Sequence, residues 1–216
     1  MKITALLPAY NEEDRVGDVI NALKKNKYVD NIVVVDDGSE DNTALIAKKA
    51  GARVIEMKQN KGKGAAIQKG IKKLDSDIAL MLDADLIGLT THHIQILIEP
   101  LLEDEADMVV GVLKEGRGLT DLAQLVTPNL SGQRAVKLDI IKDLNDLDNE
   151  GFGVEITLNK YVRDNGRLKF VDLPGLTHVM KEEKMGFIKG VRARLKMYGD
   201  IIKAVYDRYI MRNKNK

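Results

Sequence analysis

Short apolar, β-rich runs alternate with amphipathic helical patterns through the first half of this chain, and this alternation constrains the fold more than any other feature. The predicted strands are 2–7, 31–35, 53–56, 77–82 and 107–112. The helical patterns between them are 12–25, 42–50, 65–74 and 91–102. Strands separated by helices form a mostly parallel sheet with helices on its faces. The runs 32–35 and 78–82 are apolar throughout, which is typical of central strands that are buried on both faces.

The composition suits one main domain with a small appendage. The chain has 216 residues, of which 44% are hydrophobic and 31% are charged, enough for one sizeable core. It has no cysteine, so disulfides and thiolate zinc sites are excluded. No apolar run approaches the roughly 20 residues of a membrane-spanning helix, and no basic-then-apolar leader opens the sequence. We therefore expect a soluble, cytoplasmic protein.

The charge is concentrated at one end. Residues 181–216 carry eleven Lys and Arg against four Asp and Glu, a net charge of +7, which leaves −6 for residues 1–180. Apolar residues recur in steps of three and four from Ile188 to Tyr209, the spacing of one long amphipathic helix. We predict a main domain over 1–180 and a basic helical extension over 181–216.

Three roles fit this basic extension. It can pack against its own domain or against a second subunit in a homodimer. It can also dock on an anionic membrane surface as a peripheral contact. Nucleic-acid binding is disfavoured, because no stacking aromatic residues or recognised binding motif accompany the charge.

The regular alternation fails after Gly111. Residues 114–129 contain Gly, Thr and Asp, and we expect a loop near a site there. Beyond this segment we predict a helix at 134–144 and a glycine turn at 151–153 that leads into a second helix through 162. A strand at 168–173 and a short segment ending at His178 follow.

Polar motifs follow the predicted strands, and in open α/β sheets ligands bind at the carboxyl ends of the strands. Pro8-Ala9-Tyr10-Asn11-Glu12 follows the first strand. Pro8 should stop that strand, and Asn11 or Glu12 should start the next helix. Asp36-Asp37-Gly38-Ser39 follows the second strand. Its carboxylates can accept hydrogen bonds from a base N–H or from ribose hydroxyls, and its glycine lets the backbone approach a ligand closely. Ordinary turn formation and helix capping are the alternatives for each motif alone.

A glycine- and lysine-containing motif, Asn60-Lys61-Gly62-Lys63-Gly64, opens the third predicted helix. Free N–H groups at a helix start, with two lysines, favour an anionic phosphate. The motif is neither a P-loop nor a dinucleotide fingerprint, because no Gly-Lys-Ser/Thr occurs and Ile67 stands at the third glycine position.

Asp83-Ala84-Asp85, a DXD motif, ends the most apolar strand. Alternation along the strand places both carboxylates on one side. Two acids in such a place repel each other and lose solvation unless a cation or hydrogen-bond donors offset them. A divalent cation that bridges to a diphosphate satisfies that requirement, and a capping pair in a solvated loop is the alternative.

Together, in this order and spacing, the four motifs resemble those of family 2 glycosyltransferases and their relatives, over about the first 110 residues. The resemblance implies an α/β GT-A fold that binds a nucleotide-sugar with a divalent metal, over residues 1–180. It implies roles for the following residues: Pro8, Tyr10, Glu12 and Asp37 frame the uridine, Lys63 lies near the base or phosphates, Asp85 binds the metal, and Asp83 lies nearby at the ribose or metal.

The second half is similar to glucosyl-3-phosphoglycerate synthases, and more loosely to polyprenyl- and dolichyl-phosphate glycosyltransferases. The similarity rests on 129–135, Gly151-Phe152-Gly153-Val154-Glu155 and His178. It implies that Gly132 and Arg134 contact the acceptor, Arg134 as a bidentate partner for phosphate or carboxylate. It also implies that His178 joins Asp85 as a metal ligand, which favours Mn2+ over Mg2+. A structural role is the alternative for His178.

Glu155 follows the glycine turn and can reach into a cleft. It acts as a base if transfer inverts the anomeric centre. If transfer retains the configuration, as the resemblance to the phosphoglycerate enzymes implies, Glu155 positions the sugar or acceptor. We expect capping or surface roles for His92 and His93.

The predicted function is metal-dependent transfer of a hexose, glucose being the expected sugar, from a UDP-sugar donor to a small phosphorylated acceptor such as 3-phosphoglycerate. A polyprenyl-phosphate glucosyl- or mannosyltransferase at the membrane surface is the alternative. A sugar nucleotidyltransferase is disfavoured, because the motif from Pro8 to Glu12 is unlike its Gly-rich basic loop. A non-catalytic binding protein is disfavoured, because Asp83 and Asp85 are present.

Overall fold

The computed structural model describes residues 1–113, 131–141, 144 and 153–178. Its strands are β1 (Ile3–Ala9), β2 (Asn31–Asp36), β3 (Arg53–Glu56), β4 (Ile78–Met81), β5 (Leu86–Ile87), β6 (Met108–Leu113), β7 (Arg134–Lys137), β8 (Leu168–Leu173) and β9 (Thr177–His178). Its helices are α1 (Val16–Lys24), α2 (Thr43–Lys49), α3 (Lys63–Ile71), α4 (Thr91–Leu102), α5 (Leu138–Ile141) and α6 (Gly153–Asn165).

Within the described residues, seven strands form one sheet in the order β3-β2-β1-β4-β7-β6-β8, and β5 pairs with β9. Strands β1 to β4 run parallel, and β6 is parallel to β8. Strand β7 alone among these runs antiparallel to its neighbours β4 and β6. The predicted α/β fold with a mostly parallel sheet is confirmed.

The strand order places a topological switch between β1 and β4. The chain builds outwards from β1 through β2 to β3, and then returns to add β4 on the other side of β1. At such a switch the connections leave to opposite faces of the sheet, which opens a crevice at the carboxyl ends of the strands. The fold therefore places the motifs that follow β1, β2 and β4 around one crevice.

Two apolar clusters bury the two faces of the sheet. Successive residues of β1, β2 and β4 alternate between the clusters, because strand side chains point to opposite faces. One cluster packs α1 and α4 against the sheet, through Val19, Ile20, Leu23, Ile94, Leu97, Ile98 and Leu101. The other packs α3 and α6 against it, through Ala66, Ile67, Val154, Leu158 and Val162. The central strands are thus buried on both faces, as their apolar runs predict.

The predicted strands agree closely with the observed ones, whereas ends of α1 and α3 are shifted by up to four residues. Strand β3, helix α4 and strand β8 have the predicted bounds, and the other predicted strands differ by one or two residues at an end. The expected loop at 114–129 and the expected basic helix at 181–216 lie outside the described residues, as do residues 151 and 152 of the expected glycine turn. Helix α6 begins at Gly153.

The predicted helix at 134–144 is wrong. Its first part is β7, which inserts between β4 and β6, and only the short helix α5 follows. The sequence Arg-Ala-Val-Lys is compatible with either structure, and a sheet position flanked by two buried strands decides it. As a strand, this segment buries Ala135 and Val136 in the apolar clusters on opposite faces of the sheet.

The expectation that Pro8 ends the first strand is also wrong. Strand β1 continues through Pro8 to Ala9, with Pro8 opposite Val35. Pairing with β4 extends only to Leu6, so the missing N–H of Pro8 breaks no bond to that strand. Helix α1 starts at Val16, after a turn in which the carbonyl of Glu12 accepts from the N–H of Val16 at 2.9 Å.

The chain divides into two compact units, Met1–Thr177 and His178–Lys216. Of the second unit, the structure describes only the backbone of His178. In the portion of the chain that the structure describes, no helix is long and apolar enough to cross a membrane.

Candidate active site

The sequence motifs meet at one edge of the sheet. The residues after β1, β2 and β4 lie there because parallel strands end at the same edge. Strand β7 runs in the opposite direction, so the residues before it, Ser131 to Gln133, reach that edge from the other side of β4. The antiparallel insertion therefore brings a segment from the second half of the chain to the motifs of the first half.

Asp37 holds the glycine- and lysine-containing loop in place. Its carboxylate accepts the backbone N–H of Lys61 at 2.9 Å and that of Gly62 at 2.8 Å. The side chain is buried, and its own N–H donates to the carbonyl of Ala9 at 2.8 Å. Asp37 therefore joins the ends of β1 and β2 to the loop that starts α3.

Gly38 allows that loop to approach the end of β2. It has a φ of +73°, and a Cβ placed on it would lie 2.7 Å from the carbonyl carbon of Gln59 and 2.8 Å from the nitrogen of Asn60. Real Cβ atoms do not come so close to backbone atoms. The position therefore requires glycine both for its conformation and for its lack of a side chain.

The turn after β1 is tied to the turn after β2. Asn11 has a φ of 54°, its N–H donates to Ser39 Oγ at 3.0 Å, and its Oδ1 accepts the N–H of Glu40 at 2.9 Å. The N–H of Glu12 donates to Thr43 Oγ1 at 2.8 Å. Between these ties, Tyr10 stays 40% exposed at the edge of the sheet. Tyr10 thus offers an apolar face that solvent can reach.

Lys63 joins two carboxylates from distant parts of the sequence. Its Nζ lies 2.7 Å from Asp83 Oδ1 and 2.8 Å from Glu155 Oε1. Burial opposes the charged form of the ammonium, but the two carboxylates more than offset this, so the pKa of Lys63 is raised above its usual value. The first residue of α3 therefore stays positively charged and links β4 to α6.

Asp83 is also held from the β7 side by Gln133. Its N–H donates to Gln133 Oε1 at 3.0 Å, and its Oδ2 accepts from Gln133 Nε2 at 2.8 Å. A Cβ on the neighbouring Gly132 would lie 2.5 Å from Lys63 Nζ and 2.6 Å from Asp83 Oδ1. The backbone of Gly132 is therefore packed directly against the ion pair of Lys63 and Asp83.

Arg134 is buried against α6. Its Nη1 donates to the carbonyl of Glu155 at 3.3 Å and to Asn159 Oδ1 at 3.1 Å, and its Nη2 donates to the carbonyl of Ser131. The residue is 1% exposed. Burial lowers the pKa of Arg134 to about 10, and Glu155 and Asp83 partly offset this. The guanidinium predicted to contact the acceptor thus holds the segment 131–134 against the helix that carries Glu155.

Asp85, the predicted metal ligand, lies at the same edge of the sheet, two residues after Asp83. Asp85 is partly buried, and the buried Ala84 separates it from Asp83. Among the described side chains, no three His, Asp or Glu residues lie together in an arrangement that could hold a metal ion. The side chain of His178 lies outside the described residues.

The two other histidines have the roles expected for them. His93 takes part in a capping box with Thr90 at the start of α4, and its Nε2 lies 3.0 Å from the carbonyl oxygen of Pro174. His92 is exposed. Neither side chain belongs to the cluster around Lys63.

Sequence reasoning missed Gln133 and Asn159. Both are buried polar residues, at 1% and 2% exposure, and both bond to predicted site residues. Gln133 lies between Gly132 and Arg134, two predicted site residues, so its place in the sequence could have indicated that it belongs to the site. Asn159 follows Glu155 by one helical turn and therefore shares its helix face, but nothing in the sequence marks it.

The chain is similar to curated glycosyltransferases. It is 39% identical to UDP-N-acetylglucosamine–dolichyl-phosphate N-acetylglucosaminyltransferase of Methanococcus voltae, over 50% of this chain and 51% of that protein. It is 30% identical to glucosyl-3-phosphoglycerate synthase of Mycobacterium tuberculosis, over 72% of this chain and 59% of that enzyme. The chain thus spans between half and three-fifths of the length of these relatives.

A solved structure shares the fold. The crystal structure of glucosyl-3-phosphoglycerate synthase from Mycobacterium tuberculosis, in complex with Mn2+, UDP-glucose and phosphoglyceric acid, matches with a TM-score of 0.69 at 27% identity. The match covers 82% of this chain and 71% of that chain. This confirms the GT-A type of α/β fold that the sequence predicts.

The sequence model of one protein family matches residues 4–156 of this chain, from the start of β1 to the first turn of α6. That range includes Asp37, Lys63, Asp83, Asp85 and Glu155. The chain belongs to glycosyl transferase family 2.

Proposed function

We propose that this chain is a metal-dependent glycosyltransferase that transfers a hexosyl group, glucose in our assignment, from a UDP-sugar to 3-phosphoglycerate or a similar small phosphorylated acceptor. One observation carries the proposal: Lys63 joins Asp83 and Glu155 at the crevice where the β1/β4 switch opens. A nucleoside diphosphate at this crevice would meet the backbone N–H groups at the start of α3, and a divalent cation beside the carboxylates would balance its charge.

The donor side is assigned to the motifs of the first half. In our assignment, uridine lies against the exposed ring of Tyr10, between the turns that contain Pro8, Glu12 and Asp37. The diphosphate lies towards Lys63 and the amino end of α3, where the helix dipole favours negative charge. Asp83, already held in place, faces the ribose.

The carboxylates after β4 suit a divalent ion. Asp85 and, as predicted from sequence, His178 would hold Mn2+ or Mg2+. One carboxylate together with diphosphate oxygens is an ordinary ligand set for these ions, and a histidine ligand favours Mn2+. When bound, the ion supplies charge that stabilises the β-phosphate as UDP departs.

The acceptor side is assigned to the segment before β7 and the start of α6. In the reaction, the bond from the anomeric carbon to the β-phosphate oxygen breaks and its electron pair leaves with UDP. An acceptor hydroxyl oxygen bonds to that carbon, and its proton passes to the departing β-phosphate oxygen. Glu155 is held by Lys63 at 2.8 Å, which favours a role in positioning the sugar or the acceptor. Gly132 contributes backbone to the acceptor site, and Arg134 acts there by anchoring that segment.

A lipid-phosphate acceptor is the second candidate. The similarity to a dolichyl-phosphate N-acetylglucosaminyltransferase of Methanococcus voltae at 39% identity favours it, and so does the net charge of +7 over residues 181–216. Such a concentration of positive charge would favour an anionic membrane surface. In that case, the nucleotide-sugar that binds in the crevice would determine which sugar is transferred.

A transfer assay separates these candidates. The chain is incubated with Mn2+ and radiolabelled UDP-glucose, UDP-N-acetylglucosamine or GDP-mannose, with either 3-phosphoglycerate or polyprenyl phosphate in detergent. Our proposal predicts a water-soluble, anionic glucosylated product from 3-phosphoglycerate. Label that partitions into butanol with polyprenyl phosphate would instead support the lipid acceptor.

The control is the variant Asp85→Ala, which should fold and should transfer no sugar. Asp75→Ala, which removes a fully exposed carboxylate, should transfer as the unmodified chain does. Full transfer by Asp85→Ala would remove Asp85 from the site. Absence of transfer from every donor, without binding of any, would contradict the proposed function.

A further inference from the structure

Gln133 makes two hydrogen bonds to a single residue, Asp83. Its Oε1 accepts the backbone N–H of Asp83 at 3.0 Å, and its Nε2 donates to Asp83 Oδ2 at 2.8 Å. A side-chain amide can do both through separate atoms, because its oxygen accepts and its nitrogen donates. These partners also fix the orientation of the Gln133 amide.

The frame that presents this amide is itself fixed. The carbonyl of Gln133 accepts the N–H of Gly111 at 2.8 Å, and its N–H donates to Ser131 Oγ at 3.3 Å. Gln133 is 1% exposed, so water does not compete for its hydrogen bonds. A buried amide with fixed backbone holds its partner in one orientation.

The two oxygens of Asp83 consequently face different groups. Oδ2 faces the Gln133 amide, and Oδ1 faces Lys63 Nζ at 2.7 Å. Rotation of the carboxylate would break both contacts at once. The position of the Lys63 ammonium, which also bonds Glu155, therefore depends on the orientation that Gln133 imposes.

We infer that Gln133 is a positioning residue for donor binding, acting through Asp83 and Lys63. This inference rests on the proposed function, since it assigns the fixed carboxylate and ammonium to a bound UDP-sugar. Gln133 does not itself contact the donor. It couples the segment before β7, which we assign to the acceptor, to the carboxylate after β4, which we assign to the donor.

The test is calorimetric titration of UDP in the presence of Mn2+ into the full chain and into Gln133→Met. Methionine keeps the length and volume of the side chain but removes both polar ends. We expect UDP to bind at least about tenfold more weakly, as the loss of a hydrogen bond to a charged group implies. If Gln133→Met does not fold, Gln133→Asn replaces it, because its amide is one methylene too short to reach both atoms of Asp83.

A matched control comes from another buried amide far from the site. Asn26 is 8% exposed, its Nδ2 donates to the carbonyl of Thr91 at 3.0 Å, and its Oδ1 accepts the N–H of Tyr28 at 2.8 Å. Asn26→Leu also removes two buried hydrogen bonds, so thermal unfolding should shift downwards in both variants. Only the Gln133 variant should bind UDP more weakly.

The outcomes distinguish the inference from the function on which it rests. Binding of UDP by Gln133→Met with the affinity of the unmodified chain overturns the positioning role and leaves the proposed function intact. Equal weakening in Gln133→Met and Asn26→Leu also overturns it, since the effect would then be general destabilisation. Failure of the unmodified chain to bind UDP overturns both.

Discussion

Lys63 Nζ lies 2.7 Å from Asp83 Oδ1, and the backbone of Gly132 lies directly against this ion pair. The pair joins the amino end of α3 to the segment after β4, at the crevice where the parallel strands end. The geometry of the pair depends on the start of α3, on the residues after β4 and on the residues before β7, so a substitution in any of these segments should alter the crevice.

Gly132→Ala should disturb this pair without unfolding the protein. The added Cβ would lie 2.5 Å from Lys63 Nζ and 2.6 Å from Asp83 Oδ1, so it must displace the ammonium at the end of the flexible Lys63 side chain from the carboxylate that Gln133 holds. We expect stability to change by less than about 1 kcal/mol and UDP binding to weaken by about tenfold, as lost charge-assisted contacts imply. Calorimetry and thermal unfolding measure the two effects.

Gly17→Ala is the matched control, because its Cβ would meet only Ile46 Cγ2, at 3.4 Å. Within helix α1 this change should stabilise the protein by about 0.5–1 kcal/mol and leave UDP binding as it was. If Gly132→Ala raises the KM for the acceptor and leaves UDP binding unaltered, Gly132 serves the acceptor alone.

Gly38→Ala should be far more damaging than Gly62→Ala. Both glycines have positive φ, +73° and +91°, but a Cβ on Gly38 would collide with the backbone of Gln59 and Asn60, whereas a Cβ on Gly62 would meet no atom within 4 Å. Gly62 combines a φ of +91° with a ψ of 160°, a backbone region essentially confined to glycine, so we expect Gly62→Ala to cost about 1–3 kcal/mol. Gly38→Ala should cost more than that and should also weaken UDP binding, because it displaces the loop that Asp37 holds. Equal losses in denaturant unfolding would contradict the close approach.

Arg134→Lys should destabilise the fold although it preserves the charge. An ammonium cannot replace a guanidinium fork that donates to the carbonyls of Glu155 and Ser131 and to Asn159. Leaving buried acceptors without donors costs about 1–3 kcal/mol each, so we expect a loss of about 2–3 kcal/mol in urea unfolding. Arg53→Lys, at an exposed position, should have no effect. A fully stable Arg134→Lys would show that Arg134 does not anchor this segment.

The sequence predicts well where the motifs of the first half meet, for a physical reason. Local patterns locate the strands, and parallel strands that alternate with helices must end at one edge, so the motifs after β1, β2 and β4 are brought together by topology alone. Asp37, Lys63 and Asp83 therefore lie close to one another as expected.

The second half is predicted less well, because tertiary context decides its structure. Residues 134–137 form β7 because they pair with β4 and β6 on either side. Local propensity does not reveal this pairing. The pairing of Lys63 with Glu155 and of Gln133 with Asp83 depends on that insertion. Gln133 is an uncharged residue whose importance lies only in what it touches.

Asp107→Asn should lower stability at neutral pH and not in acid. Side-chain hydrogen bonds from Arg167, joined by its backbone N–H and by Lys137, hold the pKa of Asp107 well below its usual value, although burial opposes this. A lowered carboxyl pKa contributes stability that is fully present above the unfolded value, about 3.9, and is lost as the pH falls towards the folded value. We expect a cost of about 1–2 kcal/mol at pH 7, measured by urea unfolding, that shrinks below about pH 4.

Glu105→Gln is the control for this ion pair. Its partner Lys169 lies 2.6 Å away, but both side chains are about half exposed, so solvent screens the pair and the variant should stay within about 0.5 kcal/mol at either pH. A pH-independent loss in Asp107→Asn would show that its ionised carboxylate does not join β6, β7 and β8.

The decisive measurement is calorimetric titration of UDP, UDP-glucose, GDP and GDP-mannose, each with and without Mn2+, into the full chain and into Asp85→Ala. We expect Mn2+-dependent binding of UDP and UDP-glucose by the full chain, little binding of GDP or GDP-mannose, and loss of the Mn2+ dependence in Asp85→Ala. Preference for the guanosine ligands, or Mn2+-dependent binding that Asp85→Ala retains in full, would contradict the proposed UDP-sugar and metal site.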